Sequence, residues 1–298
     1  MSTADVVIRD TGFALGDGVL AVAEYGPVDG APFLAVHGIT SSSRAWIAVA
    51  RHLPDARIIA PDLRGRGRSR DLPSSTGLRH HATDLARLLD ALDLGPVPVV
   101  GHSMGAFVAV ALAAARPDLV RSLVLVDGGY PLERPAGVAD ADLADAVLGP
   151  IAQRLAREFP DAEAYRDFWR RHPAFAGRFT PDIAAYADYD LVGEPPHLRT
   201  TSTLEAIAAD SLDLYGSDWH LEALAGLDIP ARFLRSPRGL LDEPGGLYPH
   251  LAAPPPLAPA LTVTDVPDVN HYTIVMTDPG AGIVADAVRP ALLTEGTR

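Results

Sequence analysis

Ser103 stands in the pentapeptide Gly101-His102-Ser103-Met104-Gly105, between the apolar run 97–100 and an alanine-rich stretch. A serine hydroxyl is a poor nucleophile unless the backbone presents it tightly to a base. A sharp strand-to-helix turn does this by holding the serine at a strained, positive φ. Such a turn leaves no room for side chains two residues to either side, and Gly101 and Gly105 occupy both places. Gly and Ser are common residues, so the flanks rather than the pentapeptide carry the weight.

Attack by such a serine on a carbonyl puts negative charge on the former carbonyl oxygen, which two backbone N–H donors must hold. Met104 is expected to supply one, at the N-terminus of the following helix, where the helix dipole helps. The run 33–36 ends in His37-Gly38-Ile39-Thr40, and this strand-to-turn step nominates the Ile39 N–H as the second donor. Ten histidines compete to be the base. His271 stands out because it follows a late strand, 261–266, across the short loop 267–270. His52, His80, His81, His172, His197, His220 and His250 lack that placement and read for the most part as solvated surface groups. His102 sits on the turn itself, where its ring cannot easily reach round to Ser103.

These groups need rigid elements to place them. Three short β-type runs, near residues 6–8, 19–24 and 33–36, open the chain, with glycines between them. Strand and helix then alternate: a strand at 57–60, a helix near 79–92, a strand at 97–100, a helix over 104–115 ending at Arg116-Pro117, and a strand at 123–126. Short β-branched runs separated by helical stretches indicate a parallel sheet with crossover helices. After Asp127 that rhythm stops, and 128–220 reads as helices and loops rich in aromatics. The sheet pattern resumes at 231–234 and 261–266, followed by a terminal helix over about 281–293. An insertion that interrupts a sheet and returns to it is most simply a cap over the sheet edge.

Composition narrows the function further. The 298 residues are 48% hydrophobic, enough for a well-buried core. A net charge of -13, with 38 acidic against 25 basic residues, argues against a nucleic-acid surface. The one basic cluster, Arg64, Arg66, Arg68 and Arg70, reads as a glycine-spaced surface loop, with Asp62 and Arg64 fixing it against the sheet. The absence of cysteine excludes disulfides, thiolate metal sites and a cysteine nucleophile. The opening Met1-Ser-Thr-Ala-Asp lacks a basic region followed by an apolar core, and no run approaches the roughly 18–20 apolar residues of a membrane span. A cytoplasmic protein is expected, with a small-molecule substrate and neither nucleic acid nor membrane as partner; a homo-oligomer stays open.

The order His37-Gly38, Asp62-Leu-Arg-Gly65-Arg-Gly67-Arg-Ser69, Gly101-His-Ser103-Met-Gly105 and finally His271 resembles the α/β-hydrolase superfamily over nearly the whole chain. The resemblance implies an α/β fold with an eight-stranded, mostly parallel sheet and a helical cap inserted after the sixth strand. The core would then be 1–127 and 221–298, and the cap 128–220. In most relatives an aspartate follows the seventh strand in a Gly-x-x-Asp turn, for which Gly239-Leu-Leu-Asp242 supplies the letters, though about three residues late. A minority place the acid at the end of the sixth strand, where this chain has Asp127. Asp242 is the preferred partner of His271, and Asp127 is the alternative.

The resemblance also implies a serine hydrolase acting through an acyl-enzyme, with no metal or organic cofactor. An ester or lactone of an apolar small molecule is expected, since the cap is aromatic, with Phe168, Trp169 and Tyr189 as candidate substrate contacts. Serine rather than aspartate at the turn argues against the family's epoxide hydrolases and haloalkane dehalogenases. Carbon–carbon bond hydrolysis, cofactor-free haloperoxidation and acyl transfer use the same triad and stay open. So does a reading of another class, a ligand sensor whose turnover is incidental. Asn270, the sole asparagine, is expected to serve the turn before His271.

Overall fold

Eight of the chain's extended runs pair into one sheet, in the order β1-β2-β4-β3-β5-β6-β9-β10. The strands are β1 (Ile8–Ala14), β2 (Val19–Tyr25), β3 (Ala31–Val36), β4 (Ala56–Pro61), β5 (Val97–His102), β6 (Val120–Val126), β9 (Ala231–Arg235) and β10 (Thr262–Asp265). In this computed structural model the described residues are 6–134, 137–138, 152 and 155–293. β2 runs antiparallel to both its neighbours, and every other pairing is parallel. The consequence for function lies in β3, β5, β6 and β9, adjacent and parallel. Their C-terminal ends, and the turns that follow them, form one row.

Among the described residues the α-helices include α1 (Ile47–His52), α2 (Leu78–Leu92), α3 (Met104–Ala115), α4 (Ala162–Arg171), α5 (Pro181–Tyr189), α6 (Leu204–Ser211), α7 (Asp218–Ala225), α8 (Thr273–Met276) and α9 (Gly280–Leu292). α1 packs with α9 in the core on one face of the sheet, and α2 with α3 in the core on the other. α3 is buried from Met104 to Ala113. Its alanines and valines therefore serve close helix–sheet packing on all sides rather than an amphipathic face.

The first strand departs from expectation. It occupies Ile8–Ala14 rather than the apolar 6–8, and its middle residues, Asp10, Thr11 and Gly12, are exposed. An edge strand of a hairpin tolerates this polar composition, which hides it from a hydrophobicity pattern.

Between β6 and β9 the chain leaves the sheet. α4, α5, α6 and α7 fall here, with the pair β7 (Leu191–Val192) and β8 (Arg199–Thr200), which the sequence pattern did not anticipate. Two residues per strand are too few for an alternation to register. Of the expected cap, 135–136, 139–151 and 153–154 lie outside the described residues, as do 1–5 and 294–298. α4 and its neighbours bury Tyr165, Trp169, Phe175 and Tyr186 in one aromatic cluster, with Trp169 edge-on to all three others. Among the described residues no helix is long and apolar enough to cross a membrane.

Candidate active site

Ser103 adopts φ 54° and ψ -126°, at the step from β5 to α3. Steric need for the flanking glycines is direct. A Cβ on Gly105 would lie 2.0 Å from the Val36 carbonyl oxygen, and one on Gly101 would lie 2.3 Å from that of Gly105. No side chain fits at those distances, so β3 and β5 can approach the turn only with glycine there. The Ser103 N–H donates to the Val126 carbonyl at 2.9 Å, which ties the turn to β6.

His271 lies just before α8, and its own N–H donates to the Arg238 carbonyl at 3.1 Å. Its Nδ1 is 2.7 Å from Asp127 Oδ2, and both side chains are almost wholly shielded from solvent. An ionised carboxylate only accepts, so Nδ1 carries the proton and Nε2 keeps a free lone pair. Asp127 itself is at φ 46°, at the end of β6, and its Oδ1 accepts the Ser236 N–H at 3.0 Å. The residue following β9 thus lends its amide to a carboxylate from β6.

This corrects the preference for Asp242. Asp242 Oδ1 accepts from Asn270 Nδ2 at 2.9 Å and pairs with Arg238 Nε at 3.0 Å, beside His271's neighbour rather than at the imidazole. Ser236, Pro237 and Arg238 intervene after β9, so the Gly239-to-Asp242 turn begins too late and its carboxylate emerges on the partly exposed side. Burial raises the Asp242 carboxyl, but the Asn270 amide and the Arg238 guanidinium outweigh that and hold it below the usual carboxylate range. Asn270 does more than serve a turn. Its Oδ1 accepts the N–H groups of Tyr272 and Thr273, capping the segment after His271, while Nδ2 also donates to the Ala174 carbonyl.

The His37-Gly38 turn is similarly fixed. His37 is fully buried, and burial holds its imidazole down at about 4, so it is neutral at ordinary pH. Its Nε2 accepts the Leu63 N–H at 2.9 Å, which leaves the proton on Nδ1 to bond the Gly38 carbonyl at 2.8 Å. His102 turns away from the serine: its Nε2 donates to the His271 carbonyl at 2.8 Å, and the two rings sit 4.8 Å apart. Burial, followed by the nearby His271, pushes the His102 imidazole well down.

Ser103, His271 and Ile39 line one cavity of about 560 Å³. Leu132, Glu133, Ser211, Leu214 and Tyr215 wall it from the insertion, Leu240, Leu247 and Pro249 from the segment after β9, and Tyr272 and Met276 from around α8. Phe168, Trp169 and Tyr189 are not among the described lining residues, which corrects their nomination. Phe168 stacks with Tyr165 inside the insertion and Trp169 lies edge-on to both, while the Tyr189 ring has the Arg44 and Arg68 guanidiniums at 4.2 and 4.6 Å and its hydroxyl on Asp62 at 2.7 Å. Phe168 and Trp169 are thus held by other aromatic rings, Trp169 also meeting Tyr272 edge-on, and Tyr189 by the glycine-spaced loop and Arg44. The wall at the site comes instead from the turn after α6, whose Leu214 and Tyr215 carried no signal that set them apart from other apolar residues.

Two further expectations change. Arg64 and Arg66 are buried rather than on a surface loop: Arg64 pairs with Asp84 and Asp17 at 2.5 and 2.7 Å. Asp62 does fix that loop, accepting the Ser43 and Arg68 N–H groups. His81 and His220 are likewise buried rather than solvated, bonded to Asp210 and to the Gly129 carbonyl. Gly128 also belongs to the surroundings of Ser103, with nothing in the sequence to set it apart from other turn glycines. A Cβ there would lie 2.2 Å from the Ser103 carbonyl oxygen, so the turn that carries Asp127 can lie against Ser103 only with glycine next in the chain.

A family model described as alpha/beta hydrolase fold matches residues 31–223. Lipase LipV of Mycobacterium tuberculosis is 48% identical over 127 residues, a match covering 42% of this chain and 48% of that protein. The (E)-2-((N-methylformamido)methylene)succinate hydrolase of Acinetobacter baylyi is 27% identical over 174 residues, covering 55% of this chain and 66% of that protein. The chain thus spans about half to two thirds of the length of these relatives. Among solved structures, an E-2-(acetamidomethylene)succinate hydrolase superposes with a TM-score of 0.77 at 26% identity, covering 96% of this chain and 99% of that one.

Proposed function

We propose, from the premise that this chain belongs to the alpha/beta hydrolase fold family, that it is a serine hydrolase of esters or lactones with an apolar body. The observation that carries this reading is the row of turns at the C-terminal ends of β5 and β6, facing His271. There a serine held at φ 54° shares a cavity with an imidazole whose Nδ1 is engaged at 2.7 Å by a buried carboxylate. In this reading His271 Nε2 takes the Ser103 proton as Oγ bonds to the substrate carbonyl carbon. The oxyanion is held by the N–H groups of Ile39 and Met104. Collapse breaks the ester bond, the imidazolium returns the proton to the leaving alkoxide, and water activated by the same Nε2 releases the acid. Asp127 keeps the ring in the required tautomer and offsets the charge that the ring acquires.

The substrate class rests on the cavity wall. Leu132, Leu214, Leu240, Leu247 and Met276 are part of it, and among the described lining residues Glu133 is acidic while no arginine is present. The chain contains no lysine. Such a wall favours neutral acyl groups over the dicarboxylates named for the succinate hydrolases. Turnover of a p-nitrophenyl ester series, of lactones and of a hemisuccinate ester, alongside fluorophosphonate labelling, tests this. Hydrolysis of butyrate- to octanoate-length esters above the hemisuccinate, lost in Ser103→Ala, is the expected result. A protein labelled at Ser103 but inert on every ester and lactone would instead point to carbon–carbon cleavage, haloperoxidation or acyl transfer. Tight ligand binding without turnover, unaffected by Ser103→Ala, would point to a sensor. The cap reading of 128–220 stands as part of the same proposal, with its later portion walling the site.

A further inference from the structure

Arg66 is a fully buried cation at the centre of a hydrogen-bond cluster. Its Nε donates to the Ile39 carbonyl at 2.8 Å, and its Nη1 donates to the Arg64 carbonyl at 2.8 Å and pairs with Asp210 Oδ2 at 2.7 Å. Nη2 reaches the Ala206 carbonyl at 3.4 Å and Met104 Sδ at 3.8 Å. Asp210, on α6, is also fully buried, and it takes His81 Nε2 at 2.9 Å and the Ser75 hydroxyl. One guanidinium therefore touches both residues assigned to the oxyanion, and a carboxylate from the insertion holds it.

Stability is a weak reason for such an arrangement. Desolvating a guanidinium and a carboxylate together roughly cancels their attraction, and an apolar pair of similar volume commonly serves the fold as well. Placement offers a better one. The Ile39 carbonyl is drawn onto Nε, which fixes the peptide that follows Ile39 and with it the rotation of the loop carrying the Ile39 N–H. The ion pair is also oriented: its positive end contacts Ile39 and Met104, while its negative end faces Ser75 and His81. A fixed dipole aimed this way favours negative charge developing beside those two residues.

We propose that Arg66 is a positioning residue for the oxyanion hole, held by Asp210 and acting through Ile39 and Met104. The proposal rests on the reading that these two N–H groups bind the oxyanion. Arg66 touches no reacting atom, so its removal weakens transition-state binding and spares ground-state binding.

The test uses the full chain in three forms: wild type, Arg66→Lys, and the paired Arg66→Met with Asp210→Leu, which leaves no lone buried charge. Kinetics on a neutral p-nitrophenyl ester are combined with the affinity for an alkyl boronic acid, which becomes a tetrahedral anion on Ser103. Both variants are expected to melt near wild type, to lose about 10- to 100-fold in kcat with KM within about threefold, and to lose boronate affinity by a similar factor. Wild-type kcat in either folded variant would overturn the proposal. So would failure of both to fold, because the cation would then serve the fold itself. Failure of the underlying serine reading shows separately, as full turnover in Ser103→Ala.

Discussion

Asp127 and Asp242 are the two carboxylates that the sequence offers His271, and three-dimensional placement separates them. Both follow a strand of the parallel row, and both adopt a positive φ. What distinguishes Asp127 is long-range: β6 adjoins β9, so the Ser236 amide meets one carboxylate oxygen while His271 meets the other. No local pattern announces an amide donated from 109 residues away. Ser103 was legible because its demands are local and steric, and His271 because a histidine after the last strand is a positional signal. Asp127→Asn, which presents an amide to Nδ1 and favours the wrong tautomer, is expected to lower kcat by about 10³- to 10⁴-fold with little change in KM. Asp242→Asn, which touches Asn270 and a half-exposed arginine, is expected to stay within about threefold of wild type. Steady-state kinetics on one ester read both, and the reverse ranking would return the acid to Asp242.

At the scale of elements, the turn at Ser103 is held by the strands and turns around it as much as by its own residues. β3 lies against Gly105, and the turn after β6 lies against Ser103 through Gly128. A side chain at Gly128 would collide with backbone, which cannot move away as a flexible side chain can. Gly128→Ala is therefore expected to destabilise the protein by about 1–3 kcal/mol and to cut kcat at least tenfold, seen by urea unfolding and kinetics together. Stability loss with unchanged kcat would show that the turn yields without misplacing Ser103. The insertion behaves differently. Trp169→Ala empties the aromatic cluster of α4 and α5 and is expected to cost about 3–5 kcal/mol while leaving KM within about twofold, because Trp169 is not among the described lining residues and meets the wall at the edge of Tyr272. An apolar face in the sequence states that a helix is buried but not against what. Aromatics in α4 and α5 therefore read equally as substrate contacts or as core, and nothing in the sequence singles out the turn after α6.

For the molecule as a whole, the parallel sheet was legible from the alternation of strand and helix, while the buried charges were not. Hydropathy marks arginines and histidines as surface, yet His37, His81, His102 and His220 are all enclosed. Burial drives each imidazole down, to about 4 for His37 and His220. A histidine lowered on folding contributes stability that is complete above its unfolded pKa near 6.5 and is lost as pH falls toward the folded value. Thermal scans from pH 8 to 4.5 are accordingly expected to show a flat melting temperature down to about 6.5 and a steep decline below it. A flat profile to pH 4.5 would contradict neutral burial of these rings. Rapid mixing of the enzyme with excess p-nitrophenyl ester, followed by acid quench and peptide mass analysis, tests whether Ser103 carries the acyl group. Acyl mass is expected on the peptide containing Ser103, formed before steady-state turnover and absent from Ser103→Ala. Acyl mass on another residue, or undiminished hydrolysis by Ser103→Ala, would contradict it.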